Sequence, residues 1–411
     1  MRDGTAPSPA FTVGLGVAYL AAFIAMAPLL GMLVPLRAEA IDAGAKEAIL
    51  STALFWGAIT AAVSNVAAGV LSDRTRSRLG RRRPWMAGGV AVVLAAYGVI
   101  ASATTGAALT AGVVLFQIGF NALLAALLAL FADRVPPIAR GRLSAVMGVS
   151  YPLGNMVGAA LVGGWLTQDG ARFGALGAIL AVGVLPFVFR IRDHADGARD
   201  GEKPLKATPD SVAARFGPFA HRDFVLVWLG RSAMTTGFVV GSVYLLYFIT
   251  TDTNFQARYA APPEAGLALL TGVSFGVVLG VSLVLGLAGG RLRHRRGAAV
   301  TGAAVLALSG GLLAMASDWP WVVAAFAIHG LGTGIYYAVE TGLMVDALPP
   351  RDRKGGDLGL INLAAALPQA WAPLMALAAL DVFQAGYRPV LWLSAVAFAL
   401  GALLFAALKR N

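Results

Sequence analysis

The sequence predicts an all-α integral membrane protein of twelve transmembrane helices in two six-helix halves. Three observations predict it. Of 411 residues, 58% are hydrophobic and only 13% are charged, where a soluble domain carries about a quarter charged residues. The apolar residues gather into twelve runs, each too long for a strand and matching the roughly 20 residues that a spanning helix needs. The basic residues fill the gaps between those runs on alternate sides. The same composition excludes other classes. With no Cys there are no disulfides, zinc–thiolate sites or thiol chemistry. Four His and few acids within the apolar runs offer no metal centre, and no cofactor is expected. The net charge of +11 suits nucleic acid in principle, but these cations lie in short loops and not on one phosphate-binding face. A soluble enzyme is excluded by the spans. No nucleophile–base pair stands out, and the Gly-rich stretches lack the preceding strand of a nucleotide loop, which also argues against ATP as the driving force.

The runs lie at about 12–36, 48–71, 85–105, 107–132, 143–167 and 174–190, then 224–250, 264–289, 298–316, 321–345, 358–380 and 389–408. The first follows Arg2, Asp3, Pro7 and Pro9 without a clear cleavage site, so it reads as an uncleaved helix. Span 2 runs into six Arg between Arg74 and Arg83. Span 4 is stopped by Pro136 and Pro137, and span 10 by Pro349 and Pro350. Fifty Gly, spread through the spans, read as packing surface that lets helices approach closely in lipid. Residues 192–223 form the longest polar stretch, rich in Asp, Gly, Lys and Arg, and read as a flexible cytoplasmic linker between halves 1–191 and 224–411. Taking the N-terminus as cytoplasmic puts 26 Lys and Arg inside and five outside, with Arg231 within a span. That imbalance sets both termini in the cytoplasm, and the expected location is a bacterial inner membrane.

The halves share sequence. Asp133-Arg-Val-Pro-Pro-Ile-Ala-Arg140 follows span 4, and Asp346-Ala-Leu-Pro-Pro-Arg-Asp-Arg353 follows span 10. The Asp, both Pro and the last Arg match at a constant offset of 213. More weakly, Gly69-Val-Leu-Ser-Asp73-Arg74 after span 2 answers Gly286-Leu-Ala-Gly-Gly290-Arg291 after span 8, where the acid is lost. A duplicated six-helix unit is the sequence form of a secondary transporter whose site lies between its repeats near the bilayer midplane.

The segment Gly69-Val-Leu-Ser-Asp-Arg-Thr-Arg-Ser-Arg-Leu-Gly-Arg-Arg-Arg-Pro-Trp85 resembles the loop between helices 2 and 3 of the major facilitator superfamily. Its Ser-Asp-Arg start and Gly-Arg-Arg-Arg-Pro-aromatic end look most like the glycoside–cation symporters and the sucrose transporters. The resemblance implies the major facilitator fold and uptake of a sugar or glycoside, a small-molecule solute, coupled to a cation, usually a proton and otherwise a sodium ion. The chain is expected not to be an enzyme and to work as a monomer among membrane lipids. Two departures leave the ion open. The sodium-coupled melibiose-type branch carries acids in helix 2, where this chain has Trp56, Thr60, Ser64 and Asn65; proton-coupled sucrose transporters look to an acid in helix 4, where it has Gln117 and Asn121. The matching loop positions Gly69, Asp73, Arg74, Gly80 and Arg82 are gate candidates, joined by Asp133, Arg140, Asp346 and Arg353 at helix ends. Asp73 would pair with Arg134 or Arg140, or face the N-terminus of helix 11 near Leu358. Gly69 would permit close approach of helices 2 and 11. The remaining Arg residues would set topology and attract anionic lipid.

Charges inside spans are rare and mark function. Arg231 and Glu340 lie at matching depths, roughly 9–12 Å from the cytoplasmic side at 1.5 Å per residue, and are expected to pair. On span 10, His329, Thr333, Tyr336 and Glu340 share one helical face; on span 7, Arg231, Thr235, Phe238 and Ser242 do the same. Such faces suit a shared wet cavity, to which Tyr151 and Asn155, Gln117 and Asn121, and Asn362 and Gln369 would add hydrogen-bonding groups. Trp56 and Tyr337 are weaker candidates. Each has a bland alternative: a fixed bridge for the ion pair, packing for His329, and bonds to a neighbouring helix for the amides. Glu340 is the natural protonation site, and His329 the next, since an imidazole titrates near pH 6.5. Two other functions fit the same helices: a proton-driven exporter of amphipathic compounds, and a non-transporting pigment or lipid assembly factor, since some photosynthetic assembly proteins look similar in the loop after helix 2.

Overall fold

The computed structural model describes residues 8–135, 147, 150–166, 168–191, 217–287, 294–347 and 354–409. Among them, eleven helices are long and apolar enough to cross a membrane. The difference from twelve lies in the fifth span, whose first part falls outside the described residues.

The chain divides into two compact units, Met1–Arg199 and Asp200–Asn411. In the first, α1 (Pro9–Ile41), α2 (Lys46–Arg74), α3 (Arg83–Ser102) and α4 (Gly106–Arg134) are followed by α5 (150–159) and α6 (Asp169–Arg190). Ser8 caps α1, its Oγ accepting from Phe11 N at 3.3 Å, and Pro9 occupies the first turn, where no N–H is needed. Pro28 is an interior proline, and the helix passes it through a π-turn at Leu29–Leu33. A second π-turn, Ala160–Trp165, follows α5. These helices meet at Gly154 and Gly158, where a Cβ would come within 2.8 Å of Ile24 and Pro28. Helix α4 packs on both α2 and α3, and α6 on α1 and α3.

In the second unit, α7 (Arg222–Val243) breaks at Tyr244 and resumes as Leu245–Thr251, a break that its continuous apolar run at 224–250 conceals. Then follow α8 (Pro263–Leu287), α9 (Arg295–Met315), α10 (Trp319–Asp346), α11 (Lys354–Phe383) and α12 (Arg388–Ala406). Helix α7 packs on α11 and α12, and α10 on α8 and α9. The core of this unit joins α7, α9, α10 and α12 through Val227, Met234, Leu306, Tyr336, Phe398 and Phe405. Its ends far from the Arg-rich loops are knitted by polar side chains. Asp252 Oδ2 accepts from Tyr387 N at 2.8 Å, Asn254 Nδ2 donates to Asp318 Oδ1 at 2.7 Å, and Asn254 Oδ1 accepts from Trp319 N at 2.8 Å. Gly386, with φ +63°, lies where a Cβ would be 2.7 Å from Asp252.

The duplication reaches into packing. A Cβ at Gly89 would meet the Gly119 carbonyl at 2.7 Å, and one at Gly119 would meet the Gly89 carbonyl at 2.9 Å. In the second unit, Gly302 and Gly332 make the same mutual contact at 3.0 and 2.9 Å. Each pair is related to its counterpart by the offset of 213 that relates Asp133 to Asp346. The α3–α4 and α9–α10 crossings are thus one contact, present twice.

Candidate functional site

The ion pair is built where α7 and α10 approach each other mainly through side chains. Arg231 Nε lies 3.2 Å from Glu340 Oε1, and the two side chains are 15% and 19% exposed. Arg231 Nη1 contacts Met344 Sδ at 2.9 Å, and the Tyr336 hydroxyl donates to Glu340 Oε1 at 3.4 Å. A carboxylate with a guanidinium and a phenol at hand has the partners that a charge within a span requires.

Toward the middle of the span the same face turns aromatic. Phe238 stacks on Tyr337 at 5.7 Å and 25°, meets His329 edge-on at 5.8 Å, and packs on Phe398 at 5.0 Å. Phe326 stacks on the other flank of His329 at 5.4 Å, and Nδ1 of that imidazole has no hydrogen-bond partner among the described residues. Tyr337 is half exposed. Phe326 lies three residues before His329 and so on its helical face, a signal available in the sequence. Phe398 on α12 has none. Trp371 Nε1, which donates to Thr236 Oγ1 at 3.2 Å, is another contact that the stripes do not foretell.

The polar stripe on α10 is in part a packing surface. Tyr336 joins the core of the second unit, Thr333 is buried, and the Thr333 hydroxyl donates to the His329 carbonyl at 2.8 Å. At the offset of 213, the face of His329, Thr333, Tyr336 and Glu340 corresponds to Phe116, Phe120, Leu123 and Leu127 on α4, all buried and apolar. The second copy thus carries polar groups on a face that is apolar in the first. Side-chain spacing cannot distinguish such a face from a cavity wall.

The amides in the first unit bond one another. Asn121 Nδ2 donates to Gln117 Oε1 at 3.1 Å, and Asn65 Nδ2 donates to Asn121 Oδ1 at 3.3 Å, tying α2 to α4. Tyr151 is half exposed, edge-on to Phe23 at 5.4 Å, and Asn155 is half-buried. Trp56 is half exposed beside Phe55. In the second unit, Gln369 is exposed and donates to the Ala365 carbonyl at 3.1 Å. The side chain of Asn362 lies outside the described residues, as do Arg140, Arg353 and most of the linker.

Around the loop after α2, the hub is Arg82, only 4% exposed. Its Nη2 lies 2.5 Å from Asp73 Oδ1 and 3.1 Å from Asp133 Oδ2, and Nη1 donates to Ser72 Oγ at 2.7 Å. Arg81 adds a longer contact to Asp73 at 3.5 Å. Of the partners expected for Asp73, Arg140 lies outside the described residues. Among the described residues the loop itself supplies an arginine to Asp73, and the end of α4 supplies a second acid to that arginine. Gly80 has φ +94°, a conformation that favours glycine, whereas a Cβ at Gly69 would meet no atom within 4 Å, so packing within its unit does not demand glycine there. Arg74 is exposed. The second unit holds the counterpart. Arg295 Nη1 is 2.8 Å from Asp346, and the side chains are 47% and 50% exposed. Arg82 and Arg295 are again 213 apart, although the matching of the loops places Gly290 opposite Asp73 at an offset of 217. The second loop is four residues shorter and lacks the acid that makes the first a three-way contact.

A multi-pass helical membrane protein with two copies of one packing scheme and an ion pair inside a span belongs to the class of membrane carriers. Comparison with known families narrows this. The sequence pattern of the Major Facilitator Superfamily matches residues 11–292 and 254–411. The chain belongs to that superfamily and is a secondary transporter of a small-molecule solute. No curated protein matches it at the sequence level. Among solved structures, the nucleoside transporter NupG is similar with a TM-score of 0.73 at 10% identity, over 97% of this chain and 99% of that one. The POT family transporter PepTSo gives 0.72 at 11% identity, over 97% of each chain. The human organic anion transporter MFSD10 gives 0.59 at 20%, over 96% and 98%. At such identities the likeness concerns the fold alone.

Proposed function

We propose that the chain is a proton-coupled symporter of a sugar or glycoside-like solute, acting as a monomer by alternating access in a bacterial inner membrane with both termini in the cytoplasm. The observation that carries this reading is the Arg231–Glu340 contact of 3.2 Å within the spans. When Glu340 takes up a proton, the attraction to Arg231 is lost, which loosens one tie between α7 and α10 and leaves their side-chain packing to hold them. Binding at the adjacent Phe238–Tyr337 stack then biases the same pair of helices, so ion and solute act on one element. Ring faces of this kind suit the apolar face of a pyranose, and the loop resemblance at 69–85 points to the same substrate class. Arg82, Asp73 and Asp133 would govern how readily the Arg-rich end of the first unit rearranges.

A second reading has its own observation. The rings of Phe238, Phe326 and Phe398 around His329 suit an amphipathic or aryl compound, as a proton-driven exporter would carry. The experiment that separates the two is uptake of a panel of sugars, glycosides, nucleosides and amphipathic cations into vesicles under an imposed proton or sodium gradient. Accumulation of a sugar or glycoside with the proton gradient supports the first reading. Movement of amphipathic compounds against it supports the second.

A further inference from the structure

Near the middle of α10, the second copy holds an imidazole where the first holds a phenyl ring. At the offset of 213, His329 corresponds to Phe116, a fully buried ring that stacks on Tyr97 at 6.0 Å and 12° and on Phe120 at 5.5 Å and 14°. The surroundings of His329 are just as aromatic. Phe326 stacks on it at 5.4 Å, and Phe238 meets it edge-on at 5.8 Å. A phenyl ring would fill such a place with every atom satisfied, as it does in the first copy. The imidazole instead leaves Nδ1 buried without a hydrogen-bond partner among the described residues. That nitrogen loses its water and gains nothing for it. Packing alone therefore favours Phe at this position, and the reason for His lies at the other edge of the ring.

His329 is partly exposed, and Nδ1 is its enclosed nitrogen, so the open edge carries Nε2. The position of the proton follows. A neutral imidazole has one N–H and one lone pair. An orphaned buried N–H is rarer than an under-satisfied acceptor, so Nδ1 keeps the lone pair and Nε2 carries the hydrogen. The charged form would put an N–H on both nitrogens and strand the inner one. We propose that His329 is a specificity-determining residue whose Nε2–H donates to an oxygen of the bound solute. It favours neutral, oxygen-bearing ring compounds such as glycosides over organic cations, which offer no lone pair. This rests on the sugar reading above and narrows it. The neighbouring groups fit the task. Phe238 touches both His329 and the half-exposed Tyr337, which lie roughly 12 Å apart along α10 at 1.5 Å per residue. A glycoside lying along α10 stacks one ring face on Tyr337 and presents an oxygen to Nε2. Phe326 and Phe238 fix the plane of the imidazole, so the donor is oriented before the solute arrives. The Thr333 hydroxyl is occupied by the His329 carbonyl at 2.8 Å and does not compete for it. Proton uptake and solute recognition thus fall to different residues, Glu340 and His329.

The test uses the full-length protein in lipid nanodiscs, isotope-labelled at the histidine nitrogens and read by NMR, with phenyl β-D-glucoside and tetraphenylphosphonium as probes. The His329 signals are those lost in His329→Phe. Without a probe, Nε2 is expected to carry the proton and Nδ1 to be pyridine-like at neutral pH. An Nδ1–H tautomer or a doubly protonated ring overturns the proposal, and this reading needs no variant to bind anything. The glucoside is expected to move the Nε2–H signal saturably and tetraphenylphosphonium to leave it in place; a shift with the cation alone overturns the proposal. His329→Phe, which installs the first copy's residue, is expected to melt at or above the wild-type temperature yet to bind the glucoside about fivefold more weakly, the loss of one hydrogen bond. His329→Gln, whose amide N–H reaches about as far as Nε2, is expected to retain more affinity than the shorter His329→Asn. Unchanged affinity in His329→Phe, a lower melting temperature for it, or equal losses in the Gln and Asn variants would each make His329 a packing residue and leave the sugar reading standing. Binding of tetraphenylphosphonium but not of the glucoside by the wild type would sink the sugar reading and this contact together.

Discussion

Replacing Glu340 with Gln keeps the shape of the side chain and deletes its charge, leaving Arg231 opposite a neutral amide. Removing one partner of a fully buried pair costs about 3–5 kcal/mol, and an exposed pair is worth about 1 kcal/mol or less. With 15% and 19% of the side chains exposed, the Arg231–Glu340 pair falls between these, at about 2 kcal/mol, which is roughly a 30-fold shift in the folded ratio at ~1.4 kcal/mol per tenfold. The double variant Arg231→Gln/Glu340→Gln has no stranded charge, so it should recover most of that stability. Function should behave differently. Both variants should exchange solute across proteoliposomes, and neither should accumulate it under an imposed proton gradient. Thermal melts in detergent and paired accumulation and counterflow assays read the two effects separately. Gradient-driven accumulation at the wild-type level by Glu340→Gln would refute coupling through this carboxylate. Recovery of accumulation together with stability in the double variant would reduce the pair to a bridge between helices.

Other expectations follow from the loops and crossings. Asp73→Asn should slow turnover several-fold with little change in solute affinity, measured by transport rate against equilibrium binding; an unchanged rate would return the loop to a topological role. Arg82→Ala should destabilise the protein by about 2 kcal/mol, since Arg82 is nearly buried while both of its acids are more than half exposed, whereas Arg295→Ala at its exposed pair should cost about 1 kcal/mol or less. Equal melting shifts would contradict that ranking. Gly89→Val should lower the yield of folded protein because its Cβ would sit 2.7 Å from the Gly119 carbonyl, while Gly88→Val, with nothing within 4 Å, should be tolerated; detergent-stable yield by size-exclusion chromatography compares them.

The spans were legible because a membrane imposes one strong rule, that long apolar runs must close their backbone hydrogen bonds as helices. Hydropathy alone located all eleven described helices to within a few residues at most ends. It missed the break at Tyr244 and the π-turn after Pro28, because both are local changes of hydrogen-bond pattern inside apolar sequence. Depth and spacing brought Arg231 to Glu340. They did not say that Thr333 would bond its own helix or that Asn121 would bond both Gln117 and Asn65, since an amide or hydroxyl carries no mark of which partner it takes. The repeat of Asp133 and Asp346 was visible as letters. Its structural content, a shared arginine clamp and a shared glycine crossing, depended on positions whose single letters recur throughout the chain.

The clamp bears on how the two copies have diverged. Among the described residues Arg82 has three side-chain tethers, whereas Arg295 has one exposed acid and a longer contact to the Gly342 carbonyl. A stiff copy and a compliant copy of the same fastening would release at different loads. Grafting the four missing residues and an aspartate into the shorter turn would then even out the two ends and, with them, any preference for which one yields first.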